Sequence, residues 1–238
     1  MKKNDILIVR SELLNDIMLT NKSLITKRNE YSGLFSFGNR QCNKRNCFQV
    51  AFGPKTNTGN KCFTDIPPGK ISFHTHPVAC YKSEQVLWGW PSGPDMGAVI
   101  KLKDNKHHIV FALEGIYIVS VKPLVKKNIS ASDIKKIIDV FSITHEFRLP
   151  GMINSFKNTF NQLKTKSTDH PVELWLNLAN NYRANINGSL QKIFNVEFIP
   201  NASFQYTESE DDAMKILNRL NSKNINNYVR FIEDIQLN

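Results

Sequence analysis

Residues 73–95 read FHTHPVACYKSEQVLWGWPSGPD. His74 and His76 stand one residue apart before a proline, and a Ser-Gly-Pro-Asp run from Ser92 to Asp95 follows. On a strand, alternate side chains share a face, so Ser72, His74 and His76 would point one way and Ile71, Phe73 and Thr75 the other. Ile71 and Phe73 mark the second face as a core face. Two imidazoles held on one rigid face are the first two ligands a zinc ion asks for. With six histidines in 238 residues, an HxH pair arises by chance about 0.15 times per chain, so the pair alone carries little weight. Ser92 and Asp95 carry less, because an N-cap serine with an acidic residue three positions on makes a helix cap without any metal. Glu30, which follows Lys-Arg-Asn, is by itself an ordinary charged residue.

The surrounding elements alternate strand and helix. DILIVRSELLNDIMLTNKSLI (5–25) reads as a short strand and a helix, with Ser11 as N-cap and Leu13, Ile17, Met18 and Leu24 at helical spacing. EYSGLFSFG (30–38) is expected to be a strand ending at Gly38, and CFQVAFG (47–53) its hairpin partner. KISFHTHP (70–77) is a strand stopped by Pro77. A helix is expected from Ser92 to about residue 103. HHIVFALEGIYIVSV (107–121) reads as two strands around a turn at Glu114–Gly115. SASDIKKIIDVFSITHEF (130–147) is an amphipathic helix capped by Ser130 or Ser132. Past Leu149-Pro150-Gly151 the texture changes, with helical patterns around 171–184 and 208–222 and one strand, KIFNVEFIP (192–200). Two units are expected: 1–149, and a mainly helical extension, 150–238, packed on it.

The stretches EYSGLFSFG, HTHP and SGPD, in that order, resemble the JAMM/MPN+ zinc metalloprotease family. Its signature is a glutamate on an early strand with a glycine three residues on, then HxHP, then S-x-x-D. The likeness covers roughly residues 5 to 125. It implies an α/β fold with a curved mixed β-sheet flanked by helices. It also implies that His74, His76 and Asp95 bind one Zn²⁺, leaving a fourth position open as catalytic zinc sites do. Glu30 would then take a proton from water and return it to the leaving amine, and Ser92 would donate to the developing oxyanion. The substrates implied are peptide or isopeptide bonds, above all those joining ubiquitin or a ubiquitin-like protein to lysine. The alternative is a non-catalytic MPN-fold scaffold inside a larger assembly or virion. One departure stands out: fifteen residues, 77–91, separate His76 from Ser92, where the family's spacer is commonly about half as long. Tyr81, Trp88 and Trp90 in that insertion would either form a rim that grips a protein partner or pin the loop to the core. Large DNA viruses encode proteins of this kind, and a chain rich in Asn, Lys and Ile suits such a source.

Composition narrows the remaining classes. The formal charge is +10, but the lysines are dispersed and lack the interleaved aromatics of a base-stacking surface, so nucleic acid is not the expected partner. The start MKKNDILIVR has too short an apolar run for a signal peptide, and no stretch is long and apolar enough for a membrane span. The expected location is the cytoplasm, or the host cytoplasm or virion for a viral chain. Cys42, Cys47, Cys62 and Cys80 are too few for a disulfide scaffold. Cys42-x4-Cys47 could begin a structural zinc knuckle, but the irregular later spacings favour free cysteines. His107, His108, His145 and His170 lack a carboxylate or cysteine at ligand spacing and are expected to be ordinary histidines.

Overall fold

The computed structural model describes residues 6–8, 11–42, 45–84, 89–122, 125, 128–146 and 193–200. In chain order these form β1 (Ile6–Ile8), α1 (Ser11–Thr26), β2 (Tyr31–Cys42), β3 (Arg45–Thr58), β4 (Ile71–Thr75) and α2 (Val78–Glu84). Then come α3 (Gly93–Lys101), β5 (His107–Phe111), β6 (Gly115–Val121), α4 (Ala131–Glu146) and β7 (Phe194–Pro200). The described strands make one mixed sheet in the order β1-β3-β2-β4-β5-β6-β7. β4 is interior, antiparallel to β2 on one side and parallel to β5 on the other.

An interior strand covered on both faces must be buried throughout, and every residue of β4 is. One face carries Phe35, Ile71, Phe73, Ile109 and Phe111, which pack with Ile17 and Leu24 of α1. The two helix residues are seven apart, so they lie on one stripe of α1. The other face carries Val110, Tyr117 and Val119, covered by Met96, Val99 and Ile100 of α3 and by Ile137, Val140 and Phe141 of α4. The protein is therefore an α/β fold with the sheet between helices. His74 pairs in register with Val110, which places its side chain on the α3/α4 face.

The spacing of α3 against α4 depends on two glycines. A Cβ at Gly93 would run into the Ile138 carbonyl and the Ser142 side chain, and one at Gly97 into the Ile138 side chain. Gly93 and Gly97 lie one turn apart, so together they let α4 approach the turn that carries Asp95. Ser130 caps α4: its hydroxyl accepts from Asp133 N at 3.0 Å and donates to Asp133 Oδ2 at 2.7 Å.

Several expectations need correction. β2 runs on to Cys42 and β3 spans fourteen residues, a longer hairpin than the one expected to end at Gly38. Its register shifts on both sides of Gly33, which pairs with Lys55; the second shift passes over Pro54, which has no N–H for the ladder. The β5–β6 turn falls one residue early: Ala112 and Gly115 exchange backbone hydrogen bonds around Leu113–Glu114. Helix α2 was not expected at all. The strand expected at 192–200 does form, as β7, and pairs antiparallel with β6 from Gly115↔Pro200 to Val121↔Phe194. The helical patterns at 171–184 and 208–222 lie outside the described residues, as does the Ser11 side chain.

The close α3–α4 approach is testable. Gly93→Ala should lower stability by about 1–3 kcal/mol, because a fixed backbone carbonyl stands where the methyl would go. Urea unfolding with an unchanged m-value would register it.

Candidate metal centre

Glu30 is the last residue before β2, yet it is almost fully buried. Its backbone is tied on both sides, with N donating to the Asn60 carbonyl at 2.8 Å and the carbonyl accepting from Gly59 N at 3.0 Å. One strand over, His74 is the fourth residue of β4, and His76 follows its end, held by a bond from its N to the Phe111 carbonyl at 2.9 Å. Asp95 stands in the first turn of α3. The three segments converge: His74 Nε2 is 2.7 Å from His76 Nε2 and 3.4 Å from Asp95 Oδ1. His76 Nε2 lies 3.7 Å from Asp95 Oδ2 and 3.9 Å from Glu30 Oε1. Glu30, His74 and His76 form one group able to hold a metal ion, and His74, Asp95 and His108 form a second, overlapping one.

The Ser92–Asp95 pair forms the helix cap that its spacing allowed. Ser92 caps α3 with a full capping box. Asp95 Oδ2 accepts from Ser92 N at 2.6 Å and from Ser92 Oγ at 2.7 Å, which leaves Oδ1 facing His74. The cap thus orients the carboxylate. It also occupies the Ser92 hydroxyl proton.

Each imidazole is held from behind. His76 Nδ1 donates to the Gly89 carbonyl at 2.7 Å. Gly89 in turn is fixed by Glu114, whose Oε1 accepts from Gly89 N and from the Tyr117 hydroxyl and whose Oε2 accepts from the Tyr81 hydroxyl, each at 2.7 Å. His74 Nδ1 faces His108 Nε2 at 2.8 Å, and His108 Nδ1 faces Ser72 Oγ at 2.8 Å. His108 was expected to be an ordinary histidine; it belongs to the site. In-register pairing of Ser72 with His108 across β4 and β5 brings it there, a contact that spacing along the chain cannot reveal. Glu114 and the Tyr81 and Tyr117 hydroxyls were likewise missed.

The electrostatics follow from burial and mutual contact. Burial pushes Glu30 up to about 8, against the pull of His76 and with help from Asp95. Burial alone would lower His76, but the hydrogen bond and charge of Asp95, with Glu30 and the Gly89 carbonyl, outweigh it and push it up to about 9. Burial lowers His74, opposed by Asp95 and aided by His76, and takes His108 down to about 3. Burial would raise Asp95, but His74 and His76 hold it well below the usual carboxylate range. At neutral pH the cluster is then a protonated His76 against an ionised Asp95, with Glu30, His74 and His108 neutral. A protonated His76 can donate from Nε2 to His74 Nε2 at 2.7 Å, which would put a proton where the two lone pairs would meet a cation.

The donor set fits a divalent ion. A tetrahedral ion with bonds of about 2.0–2.1 Å holds neighbouring ligand atoms roughly 3.3 Å apart. The imidazole–carboxylate separations already suit that, and the two Nε2 atoms need only part slightly once their shared proton leaves.

The cysteine expectation fails at two positions. Cys62 and Cys80 form a disulfide, Cα–Cα 5.0 Å, so neither sulfur can serve a structural zinc. The bridge joins the 59–63 segment, which pairs with the Glu30 backbone, to α2, which begins two residues after His76. Of the insertion aromatics, Tyr81 and Trp90 are buried and pin the segment inward; Trp88 lies outside the described residues. No described helix is long and apolar enough to cross a membrane.

No family model matches the chain. Over 51 residues, 21% of its length, the chain is 43% identical to "Uncharacterized protein 3R" of Frog virus 3 (isolate Goorha), of which the match covers 11%. The chain therefore spans a small part of that relative.

Ion binding should expel the proton on His76, so its affinity should rise with pH up to about 9. Near pH 7, titration calorimetry in buffers of different ionisation enthalpy should record at least one proton released per ion, approaching two as the ion's charge ionises Glu30. No net release would mean that His76 is not a ligand.

Proposed function

We propose that the protein is a zinc-dependent metalloprotease of JAMM type, hydrolysing peptide or isopeptide bonds, with ubiquitin or ubiquitin-like conjugates as its substrates. The observation that carries this reading is the convergence of Glu30, His74, His76 and Asp95, from separate stretches of chain, on one buried point. A mixed sheet with helices on both faces is compatible with the fold the resemblance implies. The 51-residue similarity to a Frog virus 3 protein supports a viral source.

His74, His76 and Asp95 would hold the ion, which would polarise a scissile carbonyl and make water acidic enough to lose a proton at neutral pH. The remaining chemistry belongs to the chain. Glu30 lies beside the ligands, its Oε1 3.9 Å from His76 Nε2, and its burial-raised proton affinity suits a group that accepts a proton from water and passes it to the leaving amine. The walls around it exclude bulk water, which strengthens each charge interaction. For Ser92 to donate to an oxyanion, its hydroxyl must rotate away from Asp95 Oδ2, and its partly exposed position leaves room for that. Ser92 N keeps the carboxylate in place meanwhile.

A rival reading, a non-catalytic MPN-fold scaffold in an assembly or virion, gains from the same bond, because a hydroxyl committed to Asp95 serves the cap alone. Of the locations expected, the cytoplasm keeps thiols reduced, so the Cys62–Cys80 disulfide favours the virion.

Elemental analysis of protein purified without added metal should find one zinc more in wild type than in His74→Ala. Glu30→Gln should keep that zinc and cut hydrolysis of a ubiquitin–lysine isopeptide by roughly 10²–10⁴-fold. Loss of zinc in Glu30→Gln would make Glu30 a ligand. A zinc-loaded wild type inert towards peptide and isopeptide substrates would favour the scaffold.

A further inference from the structure

His74 can offer Nε2 to a cation only if its proton resides on Nδ1, because a neutral imidazole carries one N–H. That proton needs an acceptor, and His74 is almost wholly shut away from bulk solvent. His108 Nε2 stands 2.8 Å away. The two rings lie 13° from parallel with centroids 4.8 Å apart. That separation is close to the nitrogen contact plus the two ring radii, so the rings meet edge to edge in nearly one plane. This is the geometry of an N–H···N hydrogen bond, not of a face-to-face stack.

If His108 Nε2 accepts, the His108 proton must lie on Nδ1, where Ser72 Oγ is 2.8 Å away. Ser72 Oγ also takes a bond from Asn105 Nδ2 at 2.8 Å. The same Asn105 nitrogen donates to the Gly69 carbonyl at 3.1 Å. A carbonyl can only accept, so it fixes which end of the Asn105 amide faces Ser72. Ser72, His74 and His108 are each at most 1% exposed, so no solvent relaxes the chain.

We propose that His108, backed by Ser72 and Asn105, is a positioning residue that fixes the tautomer and ring orientation of His74 so that Nε2 is presented to the ion. The inference rests on the metal reading of the site and deepens it. His108 does not touch substrate. It acts through His74, and it does so as a neutral acceptor where metal-bound histidines are more often backed by a carboxylate or carbonyl. His108 must be neutral in that part, since a protonated ring would aim an N–H at the N–H of His74. A neutral acceptor also pushes less electron density onto the ligand than a carboxylate would, leaving the ion a stronger Lewis acid.

The test compares His108→Gln with His108→Leu in the full chain. Gln supplies a carbonyl oxygen that can accept from His74 Nδ1 and an amide that can donate to Ser72; Leu fills similar space with neither. Zn²⁺ affinity is read by chelator competition, and the visible spectrum of the Co²⁺-loaded protein reports the ligand field. Leu should weaken affinity by about 10–100-fold and alter the cobalt spectrum, while Gln should recover most of both. Equal loss in the two variants, or none in either, would overturn the proposal, because packing alone cannot tell Gln from Leu. Should His108→Leu not fold, Ser72→Ala removes the support one step back: a loss of several-fold upholds the proposal, and unchanged affinity overturns it. Failure of the underlying reading looks different. A wild type whose zinc content equals that of His74→Ala would remove the metal and this inference together, whereas a wild type holding one extra zinc with His108→Leu unaffected would remove only the inference.

Discussion

A polar group taken out of water must find a partner inside the protein, and the core of this molecule is arranged around that requirement. Placing His74 on an interior strand covered on both faces removes water from an imidazole with two nitrogens to satisfy. His76, Glu30 and Asp95 come with it into the same dry space. Every support described above answers the resulting demand: Gly89 behind His76, His108 behind His74, the Ser92 amide behind Asp95, and the 59–60 backbone beside Glu30. Most of these partners come from distant parts of the chain, so the sheet order and the seating of α3 are prerequisites of the cluster. The close crossing at Gly93 and Gly97 lets α4 pack against the turn that carries Asp95.

Local pattern announced some of this. HTHP on a strand, with Ile71 and Phe73 marking the opposite face, assigned both histidines to one side, because side-chain alternation needs no tertiary knowledge. Ser92 and Asp95 looked like a helix cap and, by the resemblance, like a hydroxyl donor and a metal ligand; Oδ2 of the carboxylate serves the cap and Oδ1 faces His74. The α1 stripe and the Ser130 cap of α4 were equally open to reading.

What stayed hidden depends on who lies across from whom. His108 is 34 residues from His74, and nothing in HHIVF marks its second histidine as the one that meets Ser72 in register. Glu114 sits in a two-residue turn, where an exposed charge is the natural expectation; its burial depends on three donors from three other elements. Cys62 and Cys80 gave no spacing signal, since their approach depends on where the 59–63 segment settles against α2. Helix α2 was passed over because its seven residues carry too little periodicity to stand out.

Glu114 also bears on the long spacer between His76 and Ser92. The Gly89 amide that backs His76 is gripped by Glu114, and Tyr81 holds α2 to the same carboxylate, so both ends of the stretch between Glu84 and Gly89 are moored independently of its length. Lengthening such a tethered stretch costs only a slowly growing closure entropy, about 0.6 kcal/mol per doubling. The histidine would not register the change. Chain length between residues 84 and 89 can therefore change at little cost to the buried cluster, because the carboxylate of Glu114 holds both flanks.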